Sequence, residues 1–282
     1  MMAGAAPRDF AFTHRDFERI RKMIYGHAGI SLNDSKADMV YSRLTRRVRS
    51  KGMVSFADYL DHLEQEGDET EWELFVNALT TNLTSFFRES HHFPIMCKHL
   101  KQVAAKRPLR LWSCASSTGE EPYSMAMAAV EQFNTFLPPV EILATDLDTN
   151  VLEAAQRGVY PYERVARLDS EQLRRFFLRG EGNNAGMVRV KSELQRLITF
   201  RQLNLLTATW PITGRFDVIF CRNVMIYFDK PTQRKILERF ARVIAPDGLL
   251  FAGHSESFLH AADIFQSCGR TVYRPIQAEA GG

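Results

Sequence analysis

The sequence predicts an α/β protein in which an all-α N-terminal domain precedes a larger domain built on a parallel sheet. Three observations support this prediction. Strand signals are few before Pro108, strand and helix patterns alternate from Leu109 onward, and a segment between Tyr160 and Leu203 interrupts the alternation. Alternation of this kind is typical of a parallel sheet, because each parallel connection needs a crossover that is usually a helix.

The N-terminal segment has apolar residues at helical spacing. The two clearest series are Phe17, Ile20 and Ile24, followed by Met39, Val40, Leu44 and Val48. Residues three and four apart share one face of a helix, so each series predicts an amphipathic helix. We expect a helical N-terminal domain over residues 1–87 and a second domain over residues 88–282.

The second domain begins with a strand at residues 109–114 and a helix at 122–133. Short apolar runs predict further strands at 140–145, 216–221 and 249–252, and the last strand is expected at 271–275. A proline start predicts a helix over 231–244, which a Pro-Asp-Gly turn at 246–248 closes. These elements together predict a Rossmann-like fold.

A run rich in glycine and asparagine, Arg179-Gly-Glu-Gly-Asn-Asn-Ala-Gly-Met-Val-Arg189, breaks the alternation. Glycine and asparagine form turns, and residues 187–190 alternate as a strand does. We predict a small antiparallel β-subdomain inserted at about residues 160–202. The alternative is an irregular surface loop.

Composition excludes several classes of protein. The chain has 282 residues, 45% of them apolar and 24% charged, with a net charge of +3. These values are typical of a globular protein with a real core, and they give no support to nucleic acid as a partner. Four widely spaced cysteines are expected to be buried free thiols in a reducing compartment. With no signal peptide and no membrane-spanning run, we expect a cytoplasmic protein without direct membrane insertion.

The loop after the first strand carries the cofactor signal. It reads Cys114-Ala-Ser-Ser-Thr-Gly-Glu-Glu121, with one glycine where a dinucleotide fingerprint has three. Two carboxylates at the start of the helix would repel a pyrophosphate, which helix N-termini otherwise attract. They would attract an amino group and a sulfonium. The loop therefore favours S-adenosylmethionine over NAD, while an ordinary βαβ unit stays as the structural alternative.

Two strand ends complete the candidate site. Asp146 ends the second strand, where a carboxylate can accept both hydroxyls of a ribose. Cys221, Arg222 and Asn223 follow the third strand at the same edge of the sheet, and we expect them to border the cofactor. Tyr227 could face the transferred methyl group. The Asn/Asp-Pro-Pro-Tyr motif of amino-methylating enzymes is absent from this position.

A basic stripe at helical spacing marks the N-terminal domain. It consists of Arg43, Arg46, Arg47 and Lys51, and an acidic segment follows at residues 61–73. Two solvated faces that pair with each other are one interpretation; docking of the stripe to an acidic partner is the other. His91, His92 and His254 have no carboxylate or cysteine at metal-ligand spacing, so we predict no metal.

These motifs together resemble those of the chemotaxis receptor glutamate methyltransferases, the CheR family. The resemblance includes Asn77-Ala-Leu-Thr-Thr-Asn-Leu-Thr-Ser-Phe-Phe-Arg88, Ser117-Thr-Gly-Glu-Glu-Pro-Tyr-Ser124, Ala144-Thr-Asp-Leu-Asp148, Cys221-Arg-Asn-Val-Met-Ile-Tyr-Phe228 and Gly253-His-Ser-Glu256. It extends over nearly the whole chain. It implies a methyltransferase domain with S-adenosylmethionine as cofactor and S-adenosylhomocysteine as product.

The resemblance also implies roles for individual residues. Positions that match the family's cofactor contacts are Asn82, Thr84, Arg88, Glu121, Asp146, Asn204 and Leu205. Arg88 and Tyr227 match the residues beside the methyl group and are the predicted catalytic residues. The predicted receptor contacts are Arg43, Arg46 and Arg47, together with the peptide-binding pattern Arg179, Gly180, Gly182, Gly186 and Arg189. The implied partners are the cytoplasmic helices and a C-terminal peptide of chemotaxis receptors, which would recruit the enzyme to receptor clusters.

The implied reaction is simple. A glutamate carboxylate, ionised near neutrality with a reference pKa of about 4.3, attacks the sulfonium methyl in line and needs no general base. The ester product serves sensory adaptation. Two alternatives are an NAD-linked oxidoreductase, which the single-glycine loop disfavours, and a non-catalytic adaptor, which the presence of Arg88, Asp146 and Tyr227 disfavours.

Overall fold

The computed structural model describes residues 9–104 and 107–276. The chain divides into two compact units, Met1–Thr81 and Asn82–Gly282. No helix in the described ranges is long and apolar enough to cross a membrane.

The described part of the first unit is helical. Its α-helices are α1 (His14–Ala28), α2 (Ala37–Ser50), α3 (Phe56–Gln65) and α4 (Glu69–Leu79). The apolar series predicted from the sequence face the interior, except for half-buried Met39. Phe17, Ile20 and Ile24 are buried on α1, and Val40, Leu44 and Val48 on α2. Side-chain caps begin three of these helices, at Thr13, Ser55 and Asp68.

A buried carboxylate joins three of these helices. Glu71 of α4 is 2% exposed, and its oxygens accept bonds from Arg47 at 2.5 and 3.2 Å and from the Tyr59 hydroxyl at 2.9 Å. Lys51 lies 3.1 Å from the same carboxylate. Burial alone would raise the pKa of Glu71, but these partners lower it. The basic and acidic segments therefore do pair, but around a buried charge rather than between two solvated faces.

The second unit contains a seven-stranded sheet with helices between its strands. The strands of the unit are β1 (Leu109–Ser113), β2 (Val140–Asp146), β3 (Val159–Pro161), β4 (Phe177–Arg179), β5 (Met187–Val190), β6 (Ile198–Gln202), β7 (Phe216–Cys221), β8 (Ile244–Ala252), β9 (Phe265–Gly269) and β10 (Val272–Pro275). Its helices are α5 (His92–Val103), α6 (Glu120–Phe133), α7 (Thr149–Arg157), α8 (Tyr162–Val165), α9 (Ser170–Phe176), α10 (Ser192–Gln195) and α11 (Lys230–Val243).

The order of the main sheet determines where a ligand can bind. The order is β6-β2-β1-β7-β8-β10-β9; the first five strands are parallel, and β10 is antiparallel to both of its neighbours. From β1 the chain builds outward through β2 and β6, and then returns to add β7 on the other side. At such a reversal an open α/β sheet usually binds its ligand in a crevice, so the crevice is expected at the carboxyl ends of β1 and β7.

The predicted β-subdomain is present as a separate antiparallel sheet. Its order is β3-β5-β4, and β5 occupies the predicted residues 187–190. Val188 and Val190 of β5 are buried, while Arg189 between them is exposed. The predicted fold class is therefore confirmed, with a helical unit, a mixed sheet and a small antiparallel sheet.

Two details differ from the expectations. The segment 246–248 does not form a separate turn after α11, because β8 already begins at Ile244 and runs through it with an irregular register against β7. The cysteines are free, but only Cys114 and Cys221 are buried; Cys97 is half-buried and Cys268 is exposed.

Candidate functional site

The loop between β1 and α6 forms one wall of the crevice. The N–H of Ser116 donates to the carbonyl of Thr145 at 2.9 Å, so the loop is bonded to β2. Ser117 and Gly119 have positive φ angles, +48° and +97°. A Cβ at Gly119 would lie 2.8 Å from the Cβ of Ala155, which explains the glycine at this position. Gly119 is the N-cap residue of α6, and no side chain caps this helix.

Asp146, at the end of β2, lies beside this loop. One of its oxygens accepts the N–H of Ser117 at 2.8 Å, and the other accepts the N–H of Asp148 at 3.1 Å. Burial outweighs these bonds and raises the pKa of Asp146 to about 6. Asn82 is close by, because its amide donates to Asp148 at 2.8 Å and its carbonyl accepts the Ser117 hydroxyl at 3.2 Å.

A buried arginine organises the opposite wall. The side chain of Arg222 is 1% exposed and lies 3.4 Å from Glu121 and 3.5 Å from Glu89. It also donates to the backbone carbonyl of Arg88. Glu121 accepts the Ser113 hydroxyl at 2.7 Å. Burial raises the pKa of Glu121, against the opposing charge of Arg222. One guanidinium therefore connects the end of β7 and the start of α6 to the segment that carries Arg88.

Glu89 is the second anion of this wall. Burial would raise the pKa of Glu89, but hydrogen bonds from His254 and the charge of Arg222 lower it to about 2. The N–H and the Nδ1 of His254 lie 3.2 and 3.0 Å from Glu89. Asn223 reaches the same carboxylate at 3.4 Å. Glu89 therefore remains ionised across the physiological range and offsets the buried charge of Arg222.

Glu256 fixes the loop that carries Tyr227. Its carboxylate accepts four backbone N–H groups, from Gly253 at 2.6 Å, Met225 at 2.8 Å, Asn223 at 2.9 Å and Ile226 at 3.3 Å. Tyr227 ends the 3₁₀ helix that Met225 begins. Two loops at the carboxyl edge of the sheet are thus held by one buried carboxylate.

Among the remaining predicted cofactor residues, Asn204 and Leu205 follow a residue that is bonded to the end of β2. Leu203 donates its N–H to the carbonyl of Asp146 at 2.9 Å, so Asn204 and Leu205 follow within the site region. Thr84 is half-buried. The Arg88 guanidinium donates to the carbonyl of Leu83 at 2.8 Å.

We expected Cys221 to border the cofactor, but its side chain lies in the hydrophobic core. Its side chain is fully buried in the apolar cluster that contains Cys114. Burial raises the pKa of the Cys221 thiol well above its ordinary value. The thiol is therefore an inert core group.

The predicted receptor-binding residues form two separate groups. In the helical unit, Arg46 is exposed, Arg43 donates to the carbonyl of Thr80, and Arg47 is bonded to Glu71. In the β-subdomain, the Arg179 guanidinium lies 5.9 Å from the centre of the Tyr162 ring. Arg189 is exposed on β5, and Gly180, Gly182 and Gly186 lie in the turn between β4 and β5.

The histidines have structural contacts. The Nε2 of His92 lies 3.0 Å from both the carbonyl of Arg270 and the hydroxyl of Thr271, and His254 contacts Glu89 as described above. Within the described residues, no group of three His, Cys, Asp or Glu side chains could hold a metal ion.

An adenosyl cofactor fits these residues. Asp146 and Glu121 are two carboxylates at one edge of the sheet, suited to hydroxyl and ammonium donors.

Several residues of the site were not predicted. Glu89, Asp148 and Glu256 each hold a loop of the crevice through side-chain bonds. Glu256 has one signal in the sequence, because it is a charged residue just beyond a buried strand. Asp148 and Glu256 each end a motif quoted above, and Glu89 follows directly after another, but nothing in the pattern distinguishes their roles.

Comparison with known proteins identifies similar chains. Residues 15–80 match the model of the all-alpha domain of CheR methyltransferase, and residues 82–274 match the model of its SAM binding domain. The chain is 55% identical to "Chemotaxis protein methyltransferase 2" of Pseudomonas aeruginosa over 269 residues, which is 95% of each chain. It is 49% identical to the "Chemotaxis protein methyltransferase" of Escherichia coli over 263 residues, 93% of this chain and 91% of that one. The predicted cofactor, S-adenosylmethionine, is thereby confirmed.

Cofactor affinity should depend on the ionisation of Asp146. Its pKa of about 6 means that the carboxylate, which can accept two hydroxyl donors, is lost below that pH. We expect the dissociation constant of S-adenosylhomocysteine to rise below about pH 6, by up to about tenfold per pH unit. Asp146→Asn should weaken binding at neutral pH by at least about tenfold, since charge-assisted bonds are lost, and should flatten the pH profile.

Calorimetric titration between pH 5 and 7.5 measures both effects. Asp169→Asn is the matched control, because Asp169 caps the exposed start of α9. Unchanged affinity in folded Asp146→Asn would contradict the role of this carboxylate.

Proposed function

Since the chain belongs to the CheR methyltransferase family, we propose that it transfers methyl groups from S-adenosylmethionine to glutamate side chains of chemotaxis receptors. The methyl esters would serve sensory adaptation. The observation that carries the proposal is the convergence of Asp146, Glu121 and the anchored Arg88 segment at the crevice where the strand order reverses. The names of the relatives point to chemotaxis.

The proposed reaction requires the protein mainly to bind and orient the two reactants. When bound, S-adenosylmethionine supplies an electrophilic methyl group on a positively charged sulfur. Asp146 would hold the ribose, Glu121 would lie near the cofactor's charged end, and Asn204 with Leu205 would lie near the adenine. The acceptor carboxylate is already ionised, so these residues gain most by aligning the reactants and excluding water.

Arg88 and Tyr227 are the proposed catalytic residues. Arg88 would orient the acceptor carboxylate, and its backbone is fixed by Arg222. Tyr227 would border the methyl path from a loop that Glu256 fixes. Alignment of this kind affects the transition state more than the binding of the cofactor.

Substitution of these two residues tests the assignment. We expect Arg88→Ala and Tyr227→Phe to lower the single-turnover rate of methyl transfer by at least about tenfold, as lost orientation does, with a smaller effect on S-adenosylhomocysteine affinity. Transfer of labelled methyl groups to receptor, followed by release in base, measures the ester product. If neither variant slows transfer, the two residues have no catalytic role; if the parent forms no base-labile methyl groups, the proposed function itself is wrong.

We propose that the basic stripe binds the receptor and that its arginines contribute unequally to this binding. Arg47 already bonds to buried Glu71, and Arg43 bonds to a backbone carbonyl, whereas Arg46 is exposed. An exposed cation can face an acidic receptor helix without breaking the fold. Arg46 is therefore the position at which recognition and stability can be tested apart.

We expect Arg46→Glu to lower the rate of receptor methylation several-fold, because the charge reversal replaces attraction to the receptor by repulsion. Added salt should slow the parent and bring the two rates closer. Arg15→Glu, the same reversal at an exposed position of α1, is the control. Equal rates for all three proteins, insensitive to salt, would leave the stripe without a role in recognition.

A tether to the receptor's C-terminal peptide is proposed for the β-subdomain. Both β3 and β4 are edge strands, and an edge can accept an added strand. Gly182 and Gly186 have open space where a Cβ would lie, whereas a Cβ at Gly180 would lie 2.1 Å from the carbonyl of Asn184. Arg179 and Arg189 would pair with an acidic group of the peptide. The tether would concentrate a cytoplasmic enzyme at receptor clusters.

Gly182→Val should abolish binding of a synthetic receptor C-terminal peptide and leave S-adenosylhomocysteine affinity unchanged. A side chain would intrude on the open face, and the positive φ of Gly182, +56°, would be strained. Gly269→Val is the matched control, because Gly269 also has a positive φ, +85°, and open space. Fluorescence titration of the peptide measures binding. Tight peptide binding by folded Gly182→Val would show that the peptide docks elsewhere.

A further inference from the structure

The β-subdomain makes a direct hydrogen bond to the loop between β1 and α6, residues 114–119, which we call the cofactor loop. Tyr160, on β3, is buried, and its hydroxyl donates to the carbonyl of Thr118 at 2.7 Å. Burial raises the pKa of the Tyr160 hydroxyl well above its ordinary value, so it stays protonated and remains a donor. A Cβ at Gly119 would lie 2.9 Å from this hydroxyl, which shows how closely the two segments pack.

A second contact reaches the same loop. Arg164, on α8, donates to the carboxylate of Glu120, which is fully buried at the start of α6. The other oxygen of Glu120 accepts the Thr118 hydroxyl at 2.6 Å. A buried carboxylate needs a compensating charge, and here the cation comes from outside the main sheet.

These two contacts fix the residues that follow Ser117. Ser117 donates its N–H to Asp146 and its hydroxyl to the carbonyl of Asn82. The loop is thus bonded on one side to predicted cofactor residues and on the other side to the β-subdomain. A loop held in its binding conformation costs less to order when the ligand arrives.

We propose that Tyr160 and Arg164 are positioning residues for the cofactor loop, so that the β-subdomain sets the affinity for S-adenosylmethionine. This role is distinct from peptide docking, and it rests on the cofactor rather than on the identity of the receptor. The β-subdomain would then serve the chemistry of the main sheet even in the absence of any partner.

Tyr160→Phe tests the proposal, because it removes one hydroxyl and keeps the ring. We expect the dissociation constant of S-adenosylhomocysteine to rise by about three- to tenfold, the effect of one neutral hydrogen bond. The KM for S-adenosylmethionine should rise with it, while kcat changes little. Calorimetry and initial-rate kinetics on the full chain measure these quantities.

Tyr123→Phe is the matched control. Tyr123 is fully buried, and its hydroxyl donates to a backbone carbonyl, that of Ala155, at 2.8 Å. This acceptor lies on α7 and not on the cofactor loop. Both variants should lower the melting temperature, but only Tyr160→Phe should lower the affinity for S-adenosylhomocysteine. Equal cofactor affinities in the two variants would reduce Tyr160 to a structural residue and overturn the proposal.

Arg164 gives a second test that does not enter the core, since its side chain is 38% exposed. Arg164→Ala should weaken S-adenosylhomocysteine binding, and Arg164→Lys should restore part of the affinity by keeping the positive charge. Cofactor affinity equal to the parent in Arg164→Ala would also count against the proposal. The affinity measurements on the Tyr160 and Arg164 variants use S-adenosylhomocysteine alone, so failure of receptor methylation would not affect them.

Discussion

The site depends on a buried guanidinium between two carboxylates. Arg222 is nearly inaccessible to water, and each of Glu89 and Glu121 lies within 3.5 Å of it. Burying any one of these charges alone would cost several kcal/mol, of the order of 3–5 kcal/mol when a partner is removed. The three residues come from the segment before α5, the start of α6 and the end of β7. Because each buried charge is stabilised only by the opposite charges beside it, the three residues hold these elements together.

Buried carboxylates also fix the backbone elsewhere in the crevice. Glu256 accepts four N–H groups from two loops, and Asp146 accepts two from the residues around it. Loops at the end of a sheet have N–H groups that no strand can satisfy. A carboxylate can accept several of them at once, so the loops gain a defined conformation without regular structure. The site is consequently built before any ligand arrives.

The sequence predicted five of the seven strands of the main sheet and missed β6 and β9. The residues of β6, 198–202, fell inside the predicted insertion. The strand at 216–221 is correct to the residue because all six side chains are buried and all except Asp217 are apolar, as is typical of a central parallel strand. β9 was missed because only Phe265 of its five residues is buried, as at a sheet edge. Asp146 could be predicted from its position after a strand. Tyr160 and Arg164 could not, because their acceptors lie more than forty residues away in sequence.

The existing contacts of Arg222 and Arg88 are compatible with the proposed reaction. Methyl transfer from a sulfonium to a carboxylate neutralises charge, so a free cation that binds the acceptor strongly would stabilise the ground state more than the transition state. Arg222 lies between Glu89 and Glu121, which offset its charge, and the Arg88 guanidinium donates to the carbonyl of Leu83. The acceptor glutamate would therefore contact Arg88, whose guanidinium already donates one hydrogen bond within the protein. Such a site can orient a glutamate without holding it too tightly to react.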